Sequence, residues 1–361
     1  MAVEFPETET HRLIPGGAHT YSKGDDQFPA NAPRYLESGD GAVVWDDKGN
    51  RFVDWTMGLR TMTLGYNCRA VDDAAIAQIR KGNNFGRASF IETELAHDLV
   101  ELIPSAEMVK FAKNGSSVTT AAVKLARAFT GRPHVAFCKD HPFFSYDDWF
   151  IGATACDGGI PPAHVAHSFG FAYNDLASLE RVFAENPGQV AAVIMEACTT
   201  EAPREGFLQG VQALCRREGA LFILDEMITG FRFAVPGAQA YFGLEPDLCT
   251  FGKGIANGYS VSVLAGRRDV MRLGGLHHDE KRVFLISTTH GAENCGLAAA
   301  RACLNIFREQ PVVKHLWAVG RRLMDGLAEA AREAGVAEQF QLVGYPCSPG
   351  YVTRDRDGMV S

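Results

Sequence analysis

The sequence lacks an excess of basic residues. Its 361 residues include 35 Lys and Arg against 43 Asp and Glu, which gives a formal net charge of -8. General nucleic-acid binders need a basic footprint for the phosphates, so this charge balance argues against that function class. The sequence also has no long block of like charges, and we therefore predict no charged interaction tail.

Paired cysteines and long apolar runs are missing as well. The nine cysteines are odd in number and include no CxxC pair, which argues for reduced thiols and against a disulfide framework or a zinc ribbon. No stretch approaches the roughly 18 apolar residues that a membrane-spanning helix requires. The first residues, MAVEFPETETHRL, carry acids where a signal peptide has basic and then apolar residues. We therefore expect a cytoplasmic protein without membrane association.

What the sequence does contain is enough apolar material for a large core. It is 46% hydrophobic and 22% charged, which is typical of folded chains, and its length suggests two or three domains. Residues 43–55 are predicted to form a hairpin with its turn at 47–50. From about residue 91, apolar strands alternate with amphipathic helices, which predicts a largely parallel sheet covered on both faces. The strands predicted there are Val135–Cys138, Ala191–Met195, Ala220–Leu224, Leu248–Phe251 and Val261–Leu264, and the helices are 174–185, 206–218, 295–308 and 312–334.

Two segments place anion-binding groups before a helix. In KNGSSVTTAAVKLAR, a strand ends at Asn114-Gly115-Ser116-Ser117 and a helix begins. Glycine allows close approach of a ligand, and the N–H groups of the first helical turn attract phosphate. In STTHGAEN, Thr288, Thr289 and Gly291 precede a second helix in the same way. The alternative for both segments is an ordinary capped helix.

Two further segments carry ionisable groups at strand ends. In LDEMITGFR, a buried strand delivers Asp225 and Glu226 to its carboxyl end, where ligands of α/β sheets bind. A carboxylate there suits a metal, a ribose or a protonated ring nitrogen, and the alternative is a capping or solvated acid. In TFGKGIANG, Lys253 follows an apolar strand. Such surroundings lower an amine's pKa, as Schiff-base chemistry requires, and the alternative is an exposed loop lysine.

Other residues give weaker signals. Glu196 ends a buried strand and is either a site acid or a helix cap. The neighbouring acids Asp147 and Asp148 would point to alternate faces and are predicted to lie in a loop. The run from His277 to Glu280 is predicted to be a solvated loop, because zinc sites favour spaced ligands. We therefore predict no metal site. Pyridoxal 5′-phosphate requires groups of these kinds together. They are the two anion-binding segments, the aspartate at a strand end and the lysine in a glycine-rich loop.

The motifs carry a family resemblance. The stretches LIPGGAHTYSKG, KNGSSVTTAAVKLAR, VIMEACTTEAPREGFL, LDEMITGFR, TFGKGIANG and STTHGAEN resemble those of the class III (ω-type) aminotransferases, and most closely the glutamate-1-semialdehyde 2,1-aminomutase group. The resemblance implies a fold-type I architecture, with a large α/β domain around a mostly parallel sheet and a smaller α+β domain from both chain ends. Residues 1–60 would form an N-terminal segment and part of the small domain, 61–310 the large cofactor-binding domain, and 311–361 an incomplete C-terminal part of the small domain.

The resemblance also implies roles for single residues. Lys253 is expected to form the Schiff base with the cofactor, and Asp225 to pair with the pyridine nitrogen. Gly115 and Ser116 would hold the phosphate, while Met227 would pack on one face of the ring. Thr289 would reach the phosphate bound by a neighbouring subunit. The resemblance therefore implies a homodimer with shared active sites.

The sequence departs from the family at the substrate side. Where the family has Tyr-His-Gly, this chain has FCKDHPFFSYDDWF, and we place Phe143 over the ring, with His141 as the rival. Where the aminomutase group has an arginine for the substrate carboxylate, this chain has Lys23. Lysine cannot form the bidentate fork, which argues against a glutamate-derived substrate. Arg60 is an alternative partner for a substrate anion, or else a surface arginine.

These expectations define the predicted function. The chain would be a pyridoxal-phosphate-dependent aminotransferase or intramolecular aminomutase that acts on a small amino or oxo compound. Three alternatives stay open: an amino-acid racemase or epimerase, a non-catalytic relative, and a nicotinamide-dependent oxidoreductase. The last is disfavoured because the glycines of GKGIANG are spaced wrongly for a dinucleotide loop.

Overall fold

The computed structural model describes residues 7–29 and 31–355. Contacts divide the chain into two compact units, Met1–Cys68 and Arg69–Ser361. The predicted division into domains at residues 60 and 310 stays a prediction.

The first unit is built on a small antiparallel sheet. Its elements are α1 (Glu7–Leu13), β1 (Leu36–Asp40), β2 (Val43–Asp46), β3 (Arg51–Val53) and α2 (Met57–Arg60), with short 3-10 helices at Tyr21–Lys23 and Asp25–Gln27. The strands pair in the order β1-β2-β3. The hairpin predicted for residues 43–55 is therefore present. Its turn is closed by Asp46 Oδ1, which accepts hydrogen bonds from the N–H groups of Lys48 at 3.0 Å and Asn50 at 2.7 Å.

Arg60 ends a turn of unusual backbone conformation. From Met57 to Arg60 every φ angle is positive, reaching +67° at Arg60, so α2 is a left-handed turn. Asp54 holds this turn, because its carboxylate accepts hydrogen bonds from the N–H groups of Thr56 at 2.9 Å and Gly58 at 3.1 Å. Left-handed backbone at residues other than glycine is strained and persists only where its surroundings enforce it.

The second unit contains a seven-stranded sheet in the order β4-β10-β9-β8-β7-β5-β6. Strands β5 to β9 all run parallel, and β10 runs antiparallel to both of its neighbours, β4 and β9. The mostly parallel sheet predicted from the sequence is confirmed. The strand bounds are β4 Met108–Ala112, β5 His134–Cys138, β6 Ser168–Phe171, β7 Val190–Glu196, β8 Leu221–Glu226, β9 Leu248–Phe251 and β10 Ser262–Gly266, followed by a separate hairpin of β11 Phe340–Tyr345 and β12 Ser348–Thr353.

Helices follow most of these strands. They are α3 Arg69–Lys81, α4 Phe90–Leu102, α5 Gly115–Thr130, α6 Asp148–Ile151, α7 Pro162–Val165, α8 Leu176–Glu185, α9 Phe207–Glu218, α10 Ala238–Phe242, α11 Arg268–Met271, α12 Asn294–Glu309 and α13 Val312–Glu333. Short 3-10 helices lie at Lys253–Ala256 and Arg272–Gly274. Within the described ranges, no helix is both long and apolar enough to cross a bilayer.

Helix α5 carries the first anion-binding segment and packs on the sheet. Its apolar stripe of Val118, Ala122 and Leu125 is fully buried in the main core, because residues at this spacing share one helix face. Phe129 continues the same spacing but is 39% exposed, and the guanidinium of Arg267 lies 5.7 Å from its ring centroid. The helix ends at Gly131 in the left-handed conformation, which is the usual glycine stop.

Candidate active site

The carboxyl ends of the central parallel strands bring the predicted site residues together. In the register of β7, β8 and β9, Glu196 lies opposite Asp225, and Asp225 lies opposite Thr250. Two residues beyond Thr250 the chain leaves β9 and reaches Gly252 and Lys253. The edge of the sheet therefore places one carboxylate on each of two neighbouring strands, with the lysine just beyond the third.

Asp225 is a buried acid with a defined orientation. It is 2% exposed, and its Oδ1 accepts hydrogen bonds from the Met227 N–H at 2.9 Å and from Thr250 Oγ1 at 3.0 Å. Burial raises the pKa of Asp225 to about 6, while the charge of Lys253 lowers that pKa. The two groups therefore interact electrostatically. A buried carboxylate of this kind favours a cationic partner, because its charge is otherwise poorly solvated.

Lys253 sits at a strained position. It begins a 3-10 helix with φ +44° and is partly buried. A Cβ added at the preceding Gly252 would lie 2.1 Å from Met227 Cε, so a larger residue there would displace the methionine side chain. Strained backbone is concentrated at functional sites, where the surrounding structure enforces it.

Met227 connects the lysine loop with the first anion-binding segment. Its Cε would also lie 3.0 Å from a Cβ at Gly115, the first residue of α5. The Met227 side chain thus touches both Gly115 and Gly252. The predicted cofactor ligands Gly115, Met227 and Lys253 are therefore neighbours in the structure.

The start of α5 is arranged to leave N–H groups available. Asn114 caps the helix, since its Oδ1 accepts a hydrogen bond from the Ser117 N–H at 2.9 Å. The N–H groups of Gly115 and Ser116 belong to the first turn, where helices provide no internal acceptor. The Ser116 side chain is buried, and its Oγ accepts a hydrogen bond from the Tyr146 N–H at 3.1 Å. This contact ties the segment after β5 to the anion-binding turn.

The turn around Thr289 is exposed and is held from two sides. The side-chain amide of Asn84 donates to the Thr289 carbonyl at 3.2 Å. Asn83 Oδ1 accepts from the Cys295 N–H at 2.8 Å, and Lys113 forms an ion pair with Glu293 at 3.2 Å. Sequence reasoning missed these bracing residues, because they lie far from Thr289 along the chain and follow no local pattern.

The two candidates for the ring-stacking position differ in burial. Phe143 is 50% exposed and meets Phe150 edge-on at 6.1 Å. His141 is 2% exposed, and its Nδ1 accepts a hydrogen bond from the Glu196 N–H at 3.1 Å. Burial lowers the pKa of His141 to about 4, so the ring is neutral at pH 7. Which of the two stacks on a cofactor stays a prediction.

The remaining acids have distinct surroundings. Glu196 is buried at the end of β7. Glu226 is also buried, but it accepts hydrogen bonds from the side chain of Thr229 and the N–H groups of Ala238 and Gln239. It therefore anchors the start of α10. The structure thus gives the two neighbouring acids of LDEMITGFR different surroundings. The charge of Lys253 lowers the pKa of Asp225, whereas Glu226 is held by hydrogen bonds from Thr229, Ala238 and Gln239.

Two predictions about solvated or substrate-binding groups have different outcomes. The side chain of His278 is 2% exposed and lies 3.2 Å from Glu280, so the prediction that the whole run from His277 to Glu280 is solvated is wrong for this histidine. Lys23 and Arg60 are exposed residues of the first unit. Their predicted contact with a substrate stays a prediction.

The donor set fits a flat ligand with a phosphate and a basic ring nitrogen. Asp225 supplies the buried carboxylate for a protonated nitrogen, and Lys253 supplies an amine for an aldehyde. The turn at Gly115 and Ser116 supplies N–H donors for a phosphate. The buried imidazole nitrogen Nε2 of His141 has no hydrogen-bond partner among the described residues. These residues therefore fit pyridoxal 5′-phosphate.

Comparison with known proteins gives one consistent family. The profile of the family described as aminotransferase class-III matches residues 26–349. A glutamate-1-semialdehyde 2,1-aminomutase of Syntrophobacter fumaroxidans is 35% identical over 339 residues, which are 90% of this chain and 77% of that relative. The FumI protein of Sphingopyxis sp. MTA144, in its PLP internal aldimine form, is 28% identical with a TM-score of 0.88 over 97% of this chain and 83% of that one.

An omega-transaminase from Sphaerobacter thermophilus is also similar in structure. It is 27% identical with a TM-score of 0.83 over 94% of this chain and 80% of that one. The fold-type I architecture and the family expected from the motifs are both confirmed. Since the family profile covers most of its length, this chain belongs to the class III aminotransferases.

Proposed function

We propose that this protein binds pyridoxal 5′-phosphate and moves the amino group of a small amino or oxo compound. One observation carries the proposal: Asp225 at the end of β8 and Lys253 just beyond the end of the adjacent strand β9 lie at the same carboxyl edge of the sheet. The family membership supports the same activity class. The proposal covers transfer to a separate oxo acid and transfer to the next carbon of the same molecule.

Each residue has a defined task in this proposal. When bound, the cofactor supplies an electron sink for the bond broken at the substrate carbon. Asp225 holds a proton on the ring nitrogen through a charge-assisted hydrogen bond. Lys253 Nζ would provide the attachment point and would take and return the proton at the substrate carbon. Met227 would pack on one face of the ring.

The anion-binding segments would hold the phosphate. The N–H groups of Gly115 and Ser116 bind its oxygens in the same chain. Thr289 is exposed, and we propose that it reaches the phosphate of a second copy. The active unit is then a homodimer with shared sites. The bracing of this turn by Asn84 supports the proposal, because a turn that serves a neighbouring site has to be held in place by its own chain.

The substrate side is proposed from charge. Lys23 and Arg60 are cations and would bind an anionic group of the substrate, with Glu196 as an acid beside the site. A cytoplasmic location is also proposed. It is supported by the nine cysteines, all of which are present as thiols, as expected in a reducing compartment.

A visible absorption spectrum and borohydride reduction test the proposal. We expect a yellow protein whose reduced cofactor adduct maps to the peptide that contains Lys253. Measuring whether an added oxo acid is consumed then separates the two reactions, because transamination consumes an external oxo acid and aminomutation does not. A protein that takes up no added pyridoxal 5′-phosphate would overturn the proposal. Solvent-hydrogen exchange at the substrate carbon without amine transfer would replace it with racemisation.

A further inference from the structure

His141 occupies a position between the sheet edge and the anion-binding turn. It lies three residues beyond the end of β5, which is the neighbour of β7 in the sheet. On one side its Nδ1 binds the backbone of Glu196. The chain that follows packs on the first turns of α5, since the Phe144 carbonyl accepts a hydrogen bond from Thr119 Oγ1 at 2.7 Å. His141 is therefore held by the same two elements that carry Asp225's neighbour Glu196 and the phosphate-binding Ser116.

The contacts of the imidazole fix its tautomer. Because Nδ1 accepts a hydrogen bond from the Glu196 N–H, a neutral ring carries its proton on Nε2. The ring is enclosed by Tyr173 at 5.0 Å and Phe144 at 6.1 Å between centroids. Within the described part of the chain, the buried Nε2 has no hydrogen-bond partner. Buried donors are paired in folded proteins, since an unpaired donor loses its hydration without compensation.

We propose that the Nε2–H group of His141 donates a hydrogen bond to an anionic oxygen of the ligand bound at the carboxyl edge of the sheet. This inference rests on the proposed function. Two ligands offer such an oxygen: the ring hydroxyl of the cofactor and a carboxylate of the substrate. The inference gives His141 a task that a stacking phenylalanine cannot perform, because Phe143 has no donor.

The protonation state of the ring is compatible with this task. Burial lowers the pKa of His141 to about 4, although the charge of Asp140 acts in the opposite direction. At pH 7 the ring is neutral, so it offers one N–H donor without adding a positive charge beside the Lys253 amine. It also does not compete with Lys253 for the substrate proton.

Two variants separate the nitrogen atoms. His141→Asn keeps an acceptor near the Nδ1 position for the Glu196 N–H but removes the Nε2 donor. His141→Gln extends further and returns an N–H donor near the Nε2 position. His134→Asn is the matched control, because His134 lies at the opposite end of β5. Thermal unfolding of all three reports whether they fold.

The measurements are the visible spectrum of the cofactor-loaded enzyme, the cofactor dissociation constant and the KM for an amine donor. In His141→Asn we expect one of these constants to rise about tenfold to a hundredfold, which is typical for a hydrogen bond to a charged acceptor. A weaker cofactor complex with a shifted visible band identifies the cofactor oxygen as the acceptor. A raised KM with an unshifted band identifies the substrate carboxylate. His141→Gln is expected to recover part of either loss.

The inference would be overturned if the cofactor dissociation constant and the KM of His141→Asn both stayed within about twofold of the wild-type values, with His141→Gln no better. A wild-type protein that binds no cofactor would overturn the proposed function as well, so the two failures are distinguishable. Nitrogen-15 NMR of labelled histidine gives a readout that needs no variant. The Nε2–H proton of His141 is expected to move downfield and to exchange more slowly when its acceptor binds, and an unmoved signal with both ligands bound would contradict the inference.

Discussion

Thr250 and Asp225 are joined across two adjacent buried strands, with Thr250 Oγ1 donating to Asp225 Oδ1 over 3.0 Å. Both residues are fully enclosed, so this hydrogen bond is shielded from water and fixes one oxygen of the carboxylate. The Met227 N–H binds the same oxygen at 2.9 Å. Both contacts therefore orient the carboxylate through the same oxygen.

Replacing Thr250 by valine tests this orientation. Thr250→Val removes the donor and keeps the shape, so the carboxylate loses a stabilising partner worth about 1.5–3 kcal/mol. We expect the cofactor dissociation constant to rise tenfold or more by equilibrium dialysis. Thr250→Ser keeps the hydroxyl and should bind nearly as wild type. Equal affinity in the valine and serine variants would contradict the prediction.

The assignment of Lys253 predicts loss of turnover without loss of fold. Lys253→Ala removes the attachment point and the proton carrier together, and Asp225 loses one cationic neighbour. We expect no detectable transamination from a protein that still unfolds in one cooperative thermal transition, with no borohydride-stable adduct by mass mapping. Lys281→Ala, in an exposed loop, serves as the control and should keep full activity. Retained turnover in the Lys253 variant would sink the assignment.

The close packing around Gly252 predicts a coupled pair of substitutions. Gly252→Ala would place a Cβ 2.1 Å from Met227 Cε and 2.9 Å from Ser262 Oγ. Such overpacking typically costs about 1–3 kcal/mol, and we expect the displaced methionine to weaken cofactor binding too. Met227→Val shortens the opposing side chain, so the double variant should recover part of the loss in chemical denaturation.

Gly158→Ala is the matched control for that pair, because no atom lies within 4 Å of its added Cβ. It should leave stability and cofactor binding unchanged. Independent, additive effects of Gly252→Ala and Met227→Val would show that the two side chains do not compete for one space.

The bracing of the Thr289 turn predicts an effect at a distance. Asn84→Asp cannot donate to the Thr289 carbonyl, and Asn84 is exposed, so the fold should tolerate it. We expect cofactor affinity to fall about threefold to tenfold, as for one ordinary hydrogen bond. Sedimentation of the variant with and without cofactor tests whether the turn serves a second copy. Unchanged affinity would separate the turn from cofactor binding.

Asp225 predicts a pH dependence of stability. Its pKa is about 6 in the folded chain against an ordinary 3.8, so the folded state binds this proton more tightly than the unfolded state. The stabilisation is present below pH 3.8 and is lost as pH rises through 6, with about 3 kcal/mol as its upper limit. Asp225→Asn should flatten this slope in denaturation curves of the cofactor-free protein. Identical slopes would show that the carboxyl is not raised.

The sequence was informative wherever a local pattern carries the structure. The motifs that carry Gly115, Asp225 and Lys253 each lie at the end of an apolar strand. Because parallel strands end at one edge of a sheet, the sequence predicts that Asp225 and Lys253 lie at that edge, as the structure has them. The family and the fold predicted from the motifs are confirmed. The role of Glu226 as an anchor for α10 depends on backbone donors at Ala238 and Gln239, which no strand pattern reveals.

Long-range contacts explain the remaining differences. Asn84 donates a hydrogen bond to the Thr289 carbonyl, although the two residues are 205 positions apart in the sequence. Neither an asparagine nor a threonine predicts such a contact by its type. Phe129 continues the helical spacing of the buried stripe of α5 but is 39% exposed, so helical spacing alone does not decide which residues of a stripe are buried. His278 is enclosed although its neighbours are exposed, because a single side chain in a polar loop can turn inward.

The pairing of β4 with β10 also has a consequence for folding, because it joins two segments that are far apart in the sequence. Residues 108–112 lead into the turn at Gly115 and Ser116, yet among the described strands their hydrogen-bonding partner is the segment 262–266. Closing so long a loop is entropically costly and slows folding. The ribosome makes the chain from its N-terminus. Strand β4 therefore cannot pair with β10 until residues 262–266 have been synthesised. Asp225 and Lys253 precede β10 in the chain, so the strand that leads into the turn at Gly115 and Ser116 gains its sheet partner only after both of those residues have been made.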